Sequence, residues 1–345
     1  ITVNAAANLD EYRQNYVYNP YYGQFRTTGG TVEMAHSRTF AWNSQQLINY
    51  KKSFGQNNIE ILLGHEYYND KAYTLGASKS KMFSQTNKEL DGAVVDGQSA
   101  YSSQSEYNVE GYFARAQYNF AEKYFVSGSF RRDASSIFAP GHRWGNYGSV
   151  GLGWQINKEK FMENVRWVNL LKLKASYGLQ GNDSLGDWQA WSDQYTIKPI
   201  YDDKNNVTGY STNMSNKGND KITWETNKSF NVGIDFNLFG NRLNGSFDYF
   251  HRTTSDLLYW IQVPASSGLT VSGYNDNVGE LYNRGVEFTV EGVVYKSKDI
   301  NVSVNFNTTY IKNKITELDH TIKSGARILE VGGSVYDAYL YKYAG

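Results

Sequence analysis

Phe230-Asn231-Val232-Gly233-Ile234-Asp235-Phe236-Asn237-Leu238 alternates between apolar and non-apolar residues without a break. A period of two places every second side chain on the same face of a β-strand. Two residues further on, Gly240-Asn241 supplies the turn chemistry of a tight hairpin. A second alternating run, Leu243 to His251, follows at once. Strand, minimal turn and strand make an antiparallel hairpin with one apolar and one polar face.

The same signal repeats outward in both directions. Tyr112-Phe113-Ala114-Arg115-Ala116-Gln117-Tyr118-Asn119-Phe120 alternates, as does Leu171-Lys172-Leu173-Lys174-Ala175-Ser176-Tyr177. So do 286–291, with Glu287 and Glu291, and 300–307. Further runs lie at 40–51, 59–68, 124–132 and 145–156, and a first strand is expected near 1–11. The expectation is all-β, with about eleven long strands.

A soluble β-sandwich would also alternate. Strand length argues otherwise: many runs reach about 9–12 residues, where soluble strands centre on about 5–6 and a tilted bilayer-crossing strand needs about 9–11. The connections argue the same way, because short and long ones alternate. Short ones lie at 54–57, 121–123, 157–169, 240–241 and 296–299, and longer ones at 72–105, 133–143, 181–221, 253–283 and after 317. Membrane barrels have short periplasmic turns and long extracellular loops. The expected fold is therefore an antiparallel transmembrane β-barrel.

The face polarity is then inside out. Apolar sets face lipid, where a Lys or Arg costs roughly 2–4 kcal/mol at the midplane and about 0–1 near the interfaces. Arg132 and His251, on the apolar parity, fall at expected extracellular strand ends. The polar parity offers lumen candidates: Arg115, Gln117, Arg131, Lys172, Lys174, Asp235, Asp248, Glu287 and Glu291, with Glu60 and Glu66. Both signs are present, so no simple anion or cation filter is expected. Aromatics gather at strand ends: Phe120, Tyr124, Trp154, Phe239 and Tyr295 by short turns, and Tyr67, Phe130, Trp144, Tyr177 and Tyr249 by long loops. Two interfacial girdles account for that arrangement.

Bulk composition agrees. Twenty-nine Tyr, 17 Phe and 8 Trp accompany only 4 Pro in 345 residues. Mean hydropathy is −0.60, and no run reaches the ~18 apolar residues of a membrane helix. The 34 basic and 34 acidic residues balance, so nucleic acid is not an expected partner. Without cysteine there are no disulfides or thiolate metal sites. The start, Ile1-Thr2-Val3-Asn4, lacks the features of a signal peptide, so the chain reads as mature or as a piece. Lys158-Glu159-Lys160-Phe161-Met162-Glu163-Asn164 is the best candidate for a short helix.

Residues 111–162 read GYFARAQYNFAEKYFVSGSFRRDASSIFAPGHRWGNYGSVGLGWQINKEKFM. This block resembles the SusC/RagA family of TonB-dependent outer-membrane transporters of the Bacteroidetes. Arg115, Tyr118, Phe120, Lys123, Tyr124, Arg131, Arg132, Asp133, Ser135, Ser136, Arg143, Trp144, Gly153, Trp154 and Phe161 carry the match, while Ala134 stands where the family usually has Gly. The likeness continues through 171–178, Gly181-Asn182-Asp183, Trp224-Glu225, Asn231-Val232-Gly233 and 278–287, and upstream through 39–66. It implies a barrel of about 22 strands with a plugged lumen. Residues 1–345 would be part of that one barrel domain, with the N-terminal plug and the remaining strands outside this chain. It also implies import of oligosaccharides or peptides with a SusD-like surface lipoprotein, powered by the TonB complex, in outer-membrane lipid.

No catalytic constellation stands out, so no enzyme activity, cofactor or metal is expected. His65-Glu66 lacks the second His of a zincin, and the glycines of 148–153 lie in a strand, outside any dinucleotide context. Asp202 to Gly209 offers oxygens but no bidentate Glu, and reads as an Asx-rich turn. The loop 181–222 carries Trp188, Trp191, Tyr195, Tyr201 and Tyr210 among Asn, Asp and Gln, and the next long loop adds Tyr259, Trp260 and Tyr274. Aromatic faces beside amide hydrogen-bonders suit a sugar ligand, and Trp188, Trp191, Tyr195, Tyr210, Tyr259 and Trp260 are the expected contacts. Packing between loops or docking of a partner protein explains the same residues. A non-transporting scaffold or adhesin is the competing function.

Overall fold

The computed structural model describes residues 1–97, 100–204 and 206–343. Ala344 and Gly345 lie outside the described residues, as does Asn205.

The strands in chain order are β1 (Thr2–Tyr18), β2 (Thr31–Phe54), β3 (Asn57–Met82), β4 (Ala93–Asp96), β5 (Tyr101–Phe120) and β6 (Tyr124–Ser135). Then follow β7 (Trp144–Gln155), β8 (Val168–Asn182), β9 (Gln194–Tyr201), β10 (Val207–Asn216), β11 (Glu225–Leu238) and β12 (Leu243–Ser255). The last are β13 (Leu258–Gln262), β14 (Gly273–Asn277), β15 (Glu280–Lys296), β16 (Asn301–Glu317), β17 (Ile322–Ser324) and β18 (Arg327–Leu329). The main sheet runs β1-β2-β3-β5-β6-β7-β8-β11-β12-β15-β16, with β4 on β3, so consecutive long strands are neighbours. Three two-stranded hairpins, β9–β10, β13–β14 and β17–β18, stand in the long-loop segments.

Alternation placed each wall strand but understated the length of all but β7. The run read at 40–51 belongs to a strand of 24 residues, and that at 59–68 to one of 26. The loop expected over 72–105 is largely strand. Beyond the hydrocarbon both faces are wetted, so these extensions need no apolar alternation and leave no period-two signal.

The expected helix at 158–164 is instead two single 3₁₀ turns, Ile156–Lys158 and Lys160–Met162. Glu159 between them is extended, at φ −77° and ψ 149°. Its carboxylate accepts from Tyr124 Oη at 2.5 Å, Trp154 Nε1 at 3.0 Å and Lys123 Nζ at 3.1 Å. Three outside donors hold the side chain across the turn, a tertiary constraint that overrides helix propensity.

The chain forms two compact units: one holds Leu47–His65 and everything from Gly111 onward, the other Thr2–Gln46 and Glu66–Glu110. In the first, large apolar side chains are exposed on one face: Val126, Val150, Leu152, Phe230, Phe247, Val304 and Phe306. Its buried core is small and sits at the long-loop end. Phe138, fully buried, lies 5.3 Å from Trp224 and Tyr147 lies 5.8 Å from it, between ring centroids. Trp224 Nε1 donates to the Arg143 carbonyl at 2.8 Å, and Arg143 Nε donates to the Phe138 carbonyl at 3.0 Å. The second unit is laced by polar contacts, including Lys71 to Glu106 at 3.2 Å and a buried Asn69 donating to Asn108 at 2.6 Å. Glu66, expected on the polar face, accepts there from Gln45.

Candidate functional site

Strand parity places Arg115, Gln117, Arg131, Lys172, Lys174, Asp235, Asp248, Glu287 and Glu291 on one face, opposite the exposed apolar side chains. Lys174 on β8 joins two further strands: its Nζ lies 2.7 Å from Asp235 on β11 and 3.0 Å from Asp248 on β12. Gly233, between them in register, makes this triad possible, because a Cβ there would stand 2.0 Å from Asp248 Oδ1. Lys51 pairs with Glu60 at 2.9 Å. Arg131 Nε reaches both Asp133 oxygens at 2.7 Å, while its guanidinium lies 5.2 Å from the Phe113 ring centre. Lys172 Nζ sits 4.9 Å above Phe125. Glu287 stands directly opposite Asp248 across β12–β15 and makes no ion pair among the described residues.

Three cavities run along this face. The first, about 630 Å³, is lined by Lys51, Glu60, Gln117, Phe125, Lys172 and Lys174. The second, about 810 Å³, is lined by Ser127, Ser129, Arg131, Ser149, Ser176 and Arg252. The third, about 840 Å³, is lined by Asp248, Arg252, Asn283, Glu287, Asn313 and Tyr336. Asn231 borders all three. The small side chains of β6 and β7 leave the room, and charges of both signs border it.

The segment after β16, read from sequence only as irregular, contributes to this site. Asn313 Oδ1 accepts from Ser334 Oγ at 3.0 Å and from the Val335 amide at 2.9 Å, and Asp337 caps the Ser334 amide at 2.8 Å. This clip carries Tyr336, 76% exposed, into the third cavity. No periodicity announces Tyr336. Arg252 was also missed, although it shares the parity of Asp248 and Phe250.

The six loop aromatics fall on two hairpins and their approaches. Tyr195 pairs with Met214 and Tyr210 with Pro199 across β9–β10, so both tyrosines share one face with Ile197. These three are exposed at 56%, 73% and 66%. Tyr259 and Trp260 lie on β13, with Trp260 exposed and Tyr259 half-buried. Trp188 is exposed and Trp191 half-buried in the turns before β9. None of the six rings stacks on another among the described residues, so they form an array and not one closed pocket.

The two loops are nonetheless stitched together. Asn219 Nδ2 donates to Asp276 Oδ1 at 2.7 Å, Thr270 Oγ1 to the Met214 carbonyl at 2.9 Å, and Asn277 Nδ2 to the Thr223 carbonyl at 2.8 Å. Lys217 and the Gly218 amide both bond Asp193, and hold its carboxyl below the usual range. Asp202 spends its oxygens on the Lys204 and Asn206 amides and the Asn206 side chain, which makes it an Asx turn.

Residues 1–335 match the family model described as TonB dependent receptor-like, beta-barrel. TonB-dependent receptor P39 of Formosa agariphila is 35% identical over 235 residues, 68% of this chain and 22% of that protein. TonB-dependent receptor SusC of Bacteroides thetaiotaomicron is 28% identical over 304 residues, 86% of this chain and 30% of that protein. The solved RagAB peptide transporter superposes with a TM-score of 0.85 at 27% identity, over 96% of this chain and 37% of that one. The chain thus spans about a third or less of the curated relatives it matches. It belongs to the TonB-dependent receptor-like β-barrel family, in the SusC/RagA group, and is part of an antiparallel barrel wall in the bacterial outer membrane, with short periplasmic turns and long extracellular loops.

Proposed function

We propose that this wall belongs to an active importer of oligosaccharides or peptides, with residues 1–345 forming part of a single barrel domain. A SusD-like lipoprotein would cover the long loops, and the TonB complex would act through a plug outside this chain. The protein moves its substrate without covalent chemistry. The polar face carries the reading: three cavities meet at Asn231 on a sheet whose other face is apolar. Arg115, Gln117, Arg131, Lys172, Lys174, Asp235, Asp248, Glu287 and Glu291 line the passage in this proposal. Their mixed charge suits hydrogen-bonding solutes better than a single ionic species. The likeness to SusC and to the solved RagAB peptide transporter supports the same class.

Trp188, Trp191, Tyr195, Tyr210, Tyr259 and Trp260 are proposed to meet the substrate first. Deleting the full gene should abolish uptake of one labelled oligosaccharide or peptide from a panel. Restoring it with Tyr210→Ala and Trp260→Ala should raise the half-saturating concentration roughly tenfold, about 1.4 kcal/mol, with unchanged barrel abundance. Uptake of every substrate unaffected by the deletion would overturn the proposal.

A further inference from the structure

The apolar face of β11, β12, β15 and β16 ends abruptly in charge. Four cross-strand rows fix where. Phe247 stands opposite Ile234 on one side and Phe288 on the other, and Phe288 packs on Phe306 at 6.4 Å. One step further toward the long loops, Tyr249 stands between Val232 and Val286, which faces Tyr310. The first row ends in Thr308 on β16, and the second is apolar or aromatic throughout.

The next row reads Phe230, His251, Arg284, Lys312, and the one beyond it Lys228, Thr253, Tyr282, Lys314. The two rows hold five basic residues and no acid. His251 stacks on Tyr282 at 5.3 Å, and the Arg284 guanidinium lies 5.3 Å from the same ring, so a single aromatic platform seats two of them. None of the five makes an ion pair among the described residues. The first acids outward are Glu280 and Glu317, opposite one another past a register shift, with Glu280 bonded to Thr316.

This arrangement is costly unless something neutralises it. Like charges directly opposite on neighbouring strands repel. Here Arg284 faces Lys312, one such pair. Four strands at about 4.8 Å and two rows at about 6.8 Å make a patch of roughly 14 by 7 Å. That matches a headgroup bearing two phosphates. The patch lies where the apolar belt gives way to water on the extracellular side, the depth of lipid headgroups in the outer leaflet. Basic clusters at that depth recognise anionic lipid.

We propose that Lys228, His251, Arg284, Lys312 and Lys314 form a binding site for the phosphate groups of an outer-leaflet glycolipid. The inference rests on the membrane orientation of the wall and stands apart from any transport role. Each Lys or Arg beside an anionic lipid surface contributes about 1 kcal/mol, roughly fivefold in binding. Replacing four therefore predicts a loss of more than a hundredfold.

The test uses the full-length protein in nanodiscs, with diphosphorylated lipid A and the same lipid stripped of its phosphates as probes. The quadruple variant Lys228→Gln, Arg284→Gln, Lys312→Gln, Lys314→Gln should lose more than a hundredfold in affinity for the diphosphorylated lipid. The unsubstituted protein should bind the stripped lipid as weakly as that variant does. Heat-modifiable electrophoretic mobility checks folding. Should the quadruple variant not fold, Arg284→Gln with Lys312→Gln should still lose roughly twentyfold or more. Equal affinity for the two lipids, unchanged affinity in the folded variant, or full displacement by millimolar inorganic phosphate would each overturn the proposal.

Discussion

Phe247→Arg against Ser246→Arg tests the assignment of the two faces most directly. The residues are chain neighbours on β12, so strand position, hydrogen bonding and depth are nearly shared, and only the face differs. Phe247 is 45% exposed on the apolar face, opposite Ile234 and Phe288. Ser246 lies opposite Asp235 and Thr289 on the polar face. The belt on this strand runs from Leu243 at the turn to His251 at the basic row, and Phe247 is its midpoint. Eight steps of about 3.4 Å, tilted by roughly 40°, cross about 21 Å. That is close to the ~25 Å apolar band of such barrels. At the midplane an Arg costs about 2–4 kcal/mol, or roughly a 30- to 900-fold change in the folding equilibrium constant. Ser246→Arg places the same charge beside Asp235 on a wetted face and should change stability by less than about 1 kcal/mol. Urea-titrated folding of the full-length barrel into lipid vesicles reads both values. If the two variants were equally destabilised, or Ser246→Arg the more so, the outward placement of the apolar face would be wrong.

Three other outcomes are expected. Phe138→Ala empties a fully buried site against Trp224 and should cost about 3–5 kcal/mol, seen as a Trp fluorescence shift and faster proteolysis of the 136–143 loop. Lys174→Met leaves Asp235 and Asp248 without their shared cation. The loss should be about 1–3 kcal/mol, in vesicle-folding titrations, and adding Asp248→Asn should recover part of it. Glu159 is held below the usual carboxylate range chiefly by the Tyr124 hydroxyl, then by Trp154 and Lys123. Its contribution is therefore present above the unfolded carboxylate pKa and lost as pH falls through the lower folded value. Glu159→Gln should flatten the acid side of the urea-midpoint profile between about pH 3 and 6, and an unchanged profile would remove Glu159 from that role.

The site was only partly legible in the sequence. The lumen candidates follow from parity alone, since residues two apart on a strand share a face. Arg252 obeyed the same rule and was available to it. Tyr336 was not, because Asn313 and Asp337 hold its segment through contacts that no local pattern encodes. Composition announced the loop aromatics, but not that Tyr195 and Tyr210 share a hairpin face, nor that Asn219 and Asn277 tie that hairpin's base to the next loop.

By itself the sequence determined that the chain is a series of long antiparallel strands, which residues of each share a face, and which ends carry loops. Those properties are written in spacings of two residues and in the lengths between runs. The tertiary structure decided how far strands extend past the belt, where Phe138, Tyr147 and Trp224 close a rim core, and why 156–162 is not a helix. It also decided that Lys228, His251, Arg284, Lys312 and Lys314 meet in two rows. Register is settled by backbone pairing between strands far apart in the chain, so the neighbours it creates exist only once the sheet has formed.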